Sequence, residues 1–149
     1  MTYIVVTTKE ILRRSEAFAD LPAPLLNQIV GICREIRHAK GDFVFQVGDA
    51  SRDIFILAEG AVDVGFAVST DDGNAAAIRE PGEVLGWSAL VGETAYRMIN
   101  AVCVQESRFI AIDGLELMRL FEASPAAGFS FLRKLIAILL NRIVSIAAA

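Results

Sequence analysis

The stretch with the most chemistry in it is Pro81-Gly82-Glu83-Val84-Leu85-Gly86-Trp87-Ser88-Ala89-Leu90-Val91-Gly92-Glu93-Thr94-Ala95-Tyr96-Arg97. Gly86 permits a tight turn and the close approach of another backbone or a ligand. Trp87 to Leu90 is long enough for one helical turn, whose first N–H groups have no partner within the turn and suit an anion. Arg97 stands ten residues beyond Trp87 and can return to the same place from the start of the next strand. Its guanidinium is the side chain best shaped for phosphate. The chemistry these types support is capture of a phosphate. Covalent catalysis has no counterpart in the chain. The one histidine, His38, cannot build a multi-histidine metal site, and no G-x-S-x-G motif supplies a nucleophile. Cys33 and Cys103 lie far apart, make no C-x-x-C spacing, and read as small packed hydrophobes in a reducing compartment.

An anion site needs elements to hold it, and three zones supply them. Residues 1–34 read as a helical segment. Thr7-Thr8-Lys9-Glu10 is a capping box ahead of Ile11 and Leu12. Pro24 is a tolerated first-turn residue, and Leu25, Leu26, Ile29, Val30 and Cys33 follow it at helical spacing. Residues 35–112 read as short strands. Candidates are 36–39, 43–47, 53–58, 61–68, 75–79, 100–104 and 108–112, each bounded by a turn signal such as Lys40-Gly41, Gly48-Asp49 or Glu59-Gly60. Turns at roughly ten-residue intervals suggest a β-barrel, jelly roll or sandwich. Residues 113–149 are helical again. Asp113 is an N-cap with Glu116 three residues on, and Ser124-Pro125 opens a long final helix.

Composition sets outer limits. The 149 residues are 54% apolar and 21% charged, which excludes a disordered chain and predicts one domain with a sizeable core. The net charge of −4 lacks the footprint of a nucleic-acid binder. The start carries no basic n-region, and the apolar C-terminal stretch is interrupted by Arg133, Lys134, Asn141 and Arg142. The sequence therefore predicts a cytoplasmic protein with no membrane partner and no cofactor.

With these residues in place, the chain resembles the cyclic-nucleotide-binding domain of the catabolite-activator superfamily, from about Leu21 to Ser145. The residues that carry the likeness are Lys40-Gly41-Asp42, Val47-Gly48, Asp53-Ile54-Phe55-Ile56, Glu59-Gly60-Ala61-Val62 and Pro81-Gly82-Glu83. Gly86, Ala89-Leu90 and Arg97 match the family's phosphate-binding cassette, here residues 82–98. The resemblance implies a double-stranded β-helix, a jelly-roll-like β-roll, mainly β with flanking N-terminal helices and a long C-terminal helix. It implies a non-catalytic sensor or regulatory module whose ligand, a cyclic nucleotide or another phosphate-bearing small molecule, meets Gly86, Trp87, Ser88, Ala89, Leu90 and Arg97. It also implies a homodimer through the C-terminal helix. The alternative is an interaction or dimerisation protein of the same fold with a repurposed pocket. No helix-turn-helix follows within the 149 residues.

The sequence departs from the family in the cassette. The family's Gly-Glu-Leu-Ala-Leu is Gly86-Trp87-Ser88-Ala89-Leu90 here, so Trp87 stands where a glutamate grips the ribose 2′-hydroxyl. The loop to Arg97 is one residue longer, and Met98 follows the arginine. A hydroxyl buried without its acceptor costs roughly 1–3 kcal/mol, one to two decades of affinity. Glu83 and Glu93 are the candidates to replace that carboxylate.

Overall fold

The computed structural model describes residues 7–65, 76–92 and 95–148, with side chains described as far as Arg142. Helix α1 (Thr8–Arg14) starts where the capping box predicts: Thr7 Oγ1 accepts the Glu10 N–H, and the Glu10 carboxylate accepts the Thr7 N–H. Helix α2 (Ala23–Val30) carries Pro24 in its first turn and buries Leu25, Leu26 and Ile29. It stops short of Cys33, which the periodicity had placed on the helix. Cys33 instead begins strand β1 (Cys33–His38). Gly31-Ile32 breaks the helix there, and the Cys33 thiol donates back to the Ile29 carbonyl at 3.1 Å.

The remaining strands are β2 (Phe43–Phe45), β3 (Asp53–Gly65), β4 (Ala76–Ile78), β5 (Val84–Leu85) and β6 (Asn100–Asp113). All pairings are antiparallel. The sheet order is β1-β6-β3-β4, with β2 joined to β6 and β5 to β3. The architecture is mainly β with flanking helices, the β-roll expected.

Two pairs of short strands read from the sequence prove to be single long ones. Residues 53–58 and 61–68 fall in β3 as far as Gly65; residues 66–75 lie outside the described residues. Residues 100–104 and 108–112 are both in β6. Glu59-Gly60 reads as a turn but acts as a bulge. Gly60 has φ +121, and a Cβ there would lie 2.2 Å from Ser107 Oγ. The Ser107 hydroxyl in turn accepts the Ala61 N–H at 3.1 Å, so the register shifts while the ladder continues.

β3 and β6 are the spine, and their alternation sorts the core in two. Ile54, Ile56, Ala58, Ile110 and Ile112 face a helical layer that contributes Leu12, Phe18, Leu26 and Phe121. Phe55, Leu57, Phe109 and Ala111 face the interior of the roll with Phe45, Leu85 and Cys103. Both faces are buried, which is why 54–58 is a continuous apolar run rather than an alternating one. Helix α3 (Gly114–Ala123) is capped by Asp113, whose carboxylate accepts the Leu115 and Glu116 N–H groups. Helix α4 (Pro125–Ala148) follows and buries Phe131 and Leu135, with the Phe131 ring against Phe18 and Phe121. A Lys134–Asp20 ion pair ties it to the segment between α1 and α2.

Candidate phosphate-binding site

The site is built by three loops that meet at one end of the roll. The first, between β2 and β3, runs against the segment that carries Arg97. Gly48 N–H donates to the Arg97 carbonyl at 2.9 Å, Arg97 N–H to Asp49 at 2.8 Å, and Ser51 N–H to Ala95 at 2.9 Å. This pairing fixes the alternation of side chains. Tyr96 and Met98 are exposed, while Arg97 between them turns inward and is only 4% exposed. Arg97 lies three residues before β6, close to the strand start expected of it.

The second element is the cassette turn. Val84 and Leu85 pair with Ile56 and Phe55, Gly86 takes φ +76, and Trp87–Leu90 form one turn of 3₁₀ helix. Only glycine suits that φ, and a Cβ at Gly86 would lie 2.8 Å from Arg97 Nη1. The close approach anticipated at Gly86 is therefore made by the arginine itself. Nη1 donates to the Gly86 carbonyl at 2.7 Å and to Ser88 Oγ at 3.4 Å. Nη2 donates to the Asp53 carbonyl at 2.5 Å. The guanidinium lies over the Phe45 ring, 4.3 Å from its centroid, with Phe55 at 5.8 Å. Its Nε is buried with no partner among the described residues. A buried donor left unpaired carries a cost of roughly 1–3 kcal/mol, which an incoming acceptor would relieve.

Burial lowers the Arg97 pKa to about 10, with Asp53 and Asp49 opposing the shift by favouring the cation. The group thus stays charged at neutral pH. Arg97 is a positive charge in a partly desolvated seat, where it acts more strongly than in water.

Arg97 meets the cassette turn at Gly86 and Ser88, and the other candidate residues, Trp87, Ala89 and Leu90, have differing surroundings. Ala89 is buried and Leu90 packs on the helical core. Trp87 is 38% exposed. Ser88 Oγ lies 2.6 Å from Ser51 Oγ, so Ser51, almost fully buried in the β2–β3 loop, joins the site. Glu83 does not stand free: its Oε2 accepts the Arg79 and Glu80 N–H groups at 2.8 and 2.9 Å. Glu93 lies outside the described residues. Ser51, Phe45, Phe55 and the Asp53 carbonyl are contributors that sequence reasoning missed. None sits near the cassette in the chain, and only the fold brings them there.

Behind the turn, Gly114 at the head of α3 lies so close that a Cβ would be 2.2 Å from the Ala89 carbonyl oxygen. The Gly114 N–H donates to Arg52 at 2.9 Å. A cavity of about 330 Å³ opens beside this contact, lined by Ser51, Arg52, Ala89, Gly92, Asp113 and Leu115.

Elsewhere, burial raises the Cys33 thiol to about 12 and moves Cys103 in the same direction, so neither is a ready thiolate. Among the described residues no three His, Cys, Asp or Glu side chains converge, and no helix is long and apolar enough to cross a membrane.

Comparison with known proteins agrees with this fold. Residues 35–124 match the model of the cyclic nucleotide-binding domain. Among solved structures, the chain is similar to a candidate cyclic nucleotide-binding protein of Geobacter metallireducens, with 23% identity and a TM-score of 0.77 over 91% of this chain and 98% of that one. It is similar to the N-terminal domain of a transcriptional regulator of Streptomyces coelicolor, at 22% identity and TM-score 0.68 over 91% and 93% of the two chains. The catabolite activator protein of Thermus thermophilus matches at 21% identity and TM-score 0.68, over 88% of this chain and 59% of that one. A search of curated proteins gave no match.

Proposed function

The chain belongs to the cyclic nucleotide-binding domain family, and we propose that it is a non-catalytic sensor module whose cassette takes the phosphate of a cyclic nucleotide on Arg97. The observation that carries this reading is the state of that guanidinium. It is buried beside the Gly86 turn, charged at neutral pH, and left with an unpartnered Nε. A phosphodiester carries one negative charge and a phosphomonoester nearly two near pH 7, so beside the single Arg97 cation a cyclic phosphate leaves less charge uncompensated than an open one.

The module works in the cytoplasm as a homodimer through α4. Phe129, Ile136 and Leu140 are exposed large apolar residues at seven- and four-residue steps on that helix, while Phe131 and Leu135 are buried on the opposite side. An apolar stripe of this spacing fits a second copy related by a two-fold axis. The side chains of Ile143 and Val144, further along the helix, lie outside the described residues.

A second reading, an interaction protein with a repurposed pocket, is favoured by one feature: both terminal nitrogens of Arg97 already bond the chain's own carbonyls. A calorimetric screen with cyclic AMP, cyclic GMP and cyclic dinucleotides separates the two. Binding of any of them supports the sensor. Absence of binding by all of them at millimolar concentration overturns it.

A further inference from the structure

A single turn of 3₁₀ helix fixes its own orientation poorly, because its hydrogen bonds have poorer geometry than those of an α-helix. The cassette turn is closed by the Ala89 N–H to Gly86 at 3.2 Å and the Val91 N–H to Ser88 at 3.0 Å. Its place relative to Arg97 is set by what reaches it from elsewhere in the chain. Gly114 at the head of α3 stands behind it, against Ala89. Ser51, in the loop between β2 and β3, reaches it at Ser88.

Ser51 touches both halves of the site. Its backbone N–H donates to the Ala95 carbonyl at 2.9 Å, and Ala50 beside it bridges to Tyr96, so the loop lies against the segment that delivers Arg97. Its hydroxyl lies 2.6 Å from the Ser88 hydroxyl on the cassette turn. Ser88 Oγ also accepts from Arg97 Nη1 at 3.4 Å, and the same Nη1 donates to the Gly86 carbonyl at 2.7 Å. A hydroxyl has one proton and two lone pairs, so Ser88 can hold Arg97 and Ser51 at once. These bonds close a ring that runs from the Arg97 segment to Ser51, on to Ser88, and back to the guanidinium. Arg52, the next residue, accepts the Gly114 N–H at 2.9 Å, which anchors the loop to α3 as well. The Ser51 hydroxyl thus comes from a loop held on two sides. It is almost fully buried, where a hydrogen bond is stronger than in water.

We propose that Ser51 is a positioning residue of the phosphate site: through Ser88 its hydroxyl holds the cassette turn against the Arg97 guanidinium, and affinity for a cyclic phosphate depends on it. The inference rests on the sensor reading above and adds to it a determinant from outside the cassette. Without the hydroxyl the turn is free to shift from the guanidinium, and the ligand must restore their alignment at the expense of affinity. The net worth of one hydrogen bond sets the scale, a loss of about three- to tenfold. The effect runs through Ser88, so once Ser88 has lost its hydroxyl, removing that of Ser51 costs little more.

The test is calorimetry of cyclic AMP and cyclic GMP with the intact chain, with Ser51→Ala, with Ser88→Ala and with the double variant. Ser51→Ala removes one oxygen and adds no atom, and circular dichroism and melting establish that each variant is folded. The NMR signal of the Arg97 Nε–H group is recorded for each without nucleotide. The expected result is about a three- to tenfold loss for Ser51→Ala, a double variant within about twofold of Ser88→Ala, and a displaced Arg97 signal in Ser51→Ala before any nucleotide is added. A role in stability alone would lower the melting temperature and leave both the affinity of the folded chain and the Arg97 signal where they were. Parent affinity in folded Ser51→Ala overturns the inference, and so does a loss that persists undiminished once Ser88 is alanine; either leaves the sensor reading standing. Binding of neither nucleotide to the parent chain at about 10 mM overturns both.

Discussion

Replacing Gly114 by alanine adds a methyl group at the contact between the cassette turn and α3. The new Cβ would stand 2.2 Å from the Ala89 carbonyl oxygen, 2.7 Å from its carbon and 3.0 Å from its Cβ. Ordinary contact begins at about 3.4 Å, so the turn or the helix must give way by about 1 Å. Two of the three atoms are backbone, and α3 is held in place by the Asp113 cap and the Gly114–Arg52 hydrogen bond. Forced overpacking of this kind costs about 1–3 kcal/mol. Alanine returns up to about 1 kcal/mol over glycine in a helix, less at its first residue. The net loss is about 1–2 kcal/mol, which for a chain of this length lowers the melting temperature by about 2–8 °C. Thermal unfolding followed by circular dichroism reads it directly. Gly31→Ala is the control, since its Cβ meets nothing nearer than the Gln28 carbonyl at 3.3 Å. A Gly114→Ala protein that melts at or above the parent temperature would refute the close contact and the helix position argued from it.

Two further outcomes follow from the geometry. Nucleotide affinity should be flat from about pH 6 to 8.5 and fall as pH rises through about 10, where Arg97 loses its charge; calorimetry across that range checks it. Because the folded pKa lies below the usual arginine value, the unfolded chain binds more protons above pH 10, and the contribution of this group to stability rises there even as binding is lost. Light scattering should find a dimer at tens of micromolar and a monomer for the double variant Ile136→Glu, Leu140→Glu. A monomeric parent would remove the α4 interface.

Much of this fold was legible where a local rule decides the outcome. The Thr7–Glu10 box, Pro24 and the Asp113 cap each act within four residues: Thr7 and Asp113 accept backbone N–H groups at the heads of α1 and α3, and Pro24 sits in the first turn of α2. Strand ends were harder. Glu59-Gly60 and Gln105-Glu106-Ser107 look like breaks, but the bulge that joins them depends on Ser107 reaching Ala61 across 46 residues. Strand β5 has two residues and no periodicity to show. The cassette was legible by its glycine and arginine spacing. What could not be read was the posture of Arg97, which is set by Phe45, Asp53 and Ser51 from distant parts of the chain. The same distance hides the fate of Glu83, a ribose-acceptor candidate in sequence and a turn-holding carboxylate in the structure.

The central claim is that the Arg97 guanidinium holds the phosphate of a cyclic nucleotide. Its most direct test is a calorimetric titration of Arg97→Leu beside the parent chain, using whichever cyclic nucleotide the parent binds most tightly, with circular dichroism and melting to establish that the variant is folded. Truncating one partner of a buried, hydrogen-bonded charge pair costs about 2–5 kcal/mol, so the account predicts a loss of at least about thirtyfold, which takes weak binding out of the measurable range. A folded Arg97→Leu protein that binds the nucleotide with the parent affinity would contradict it.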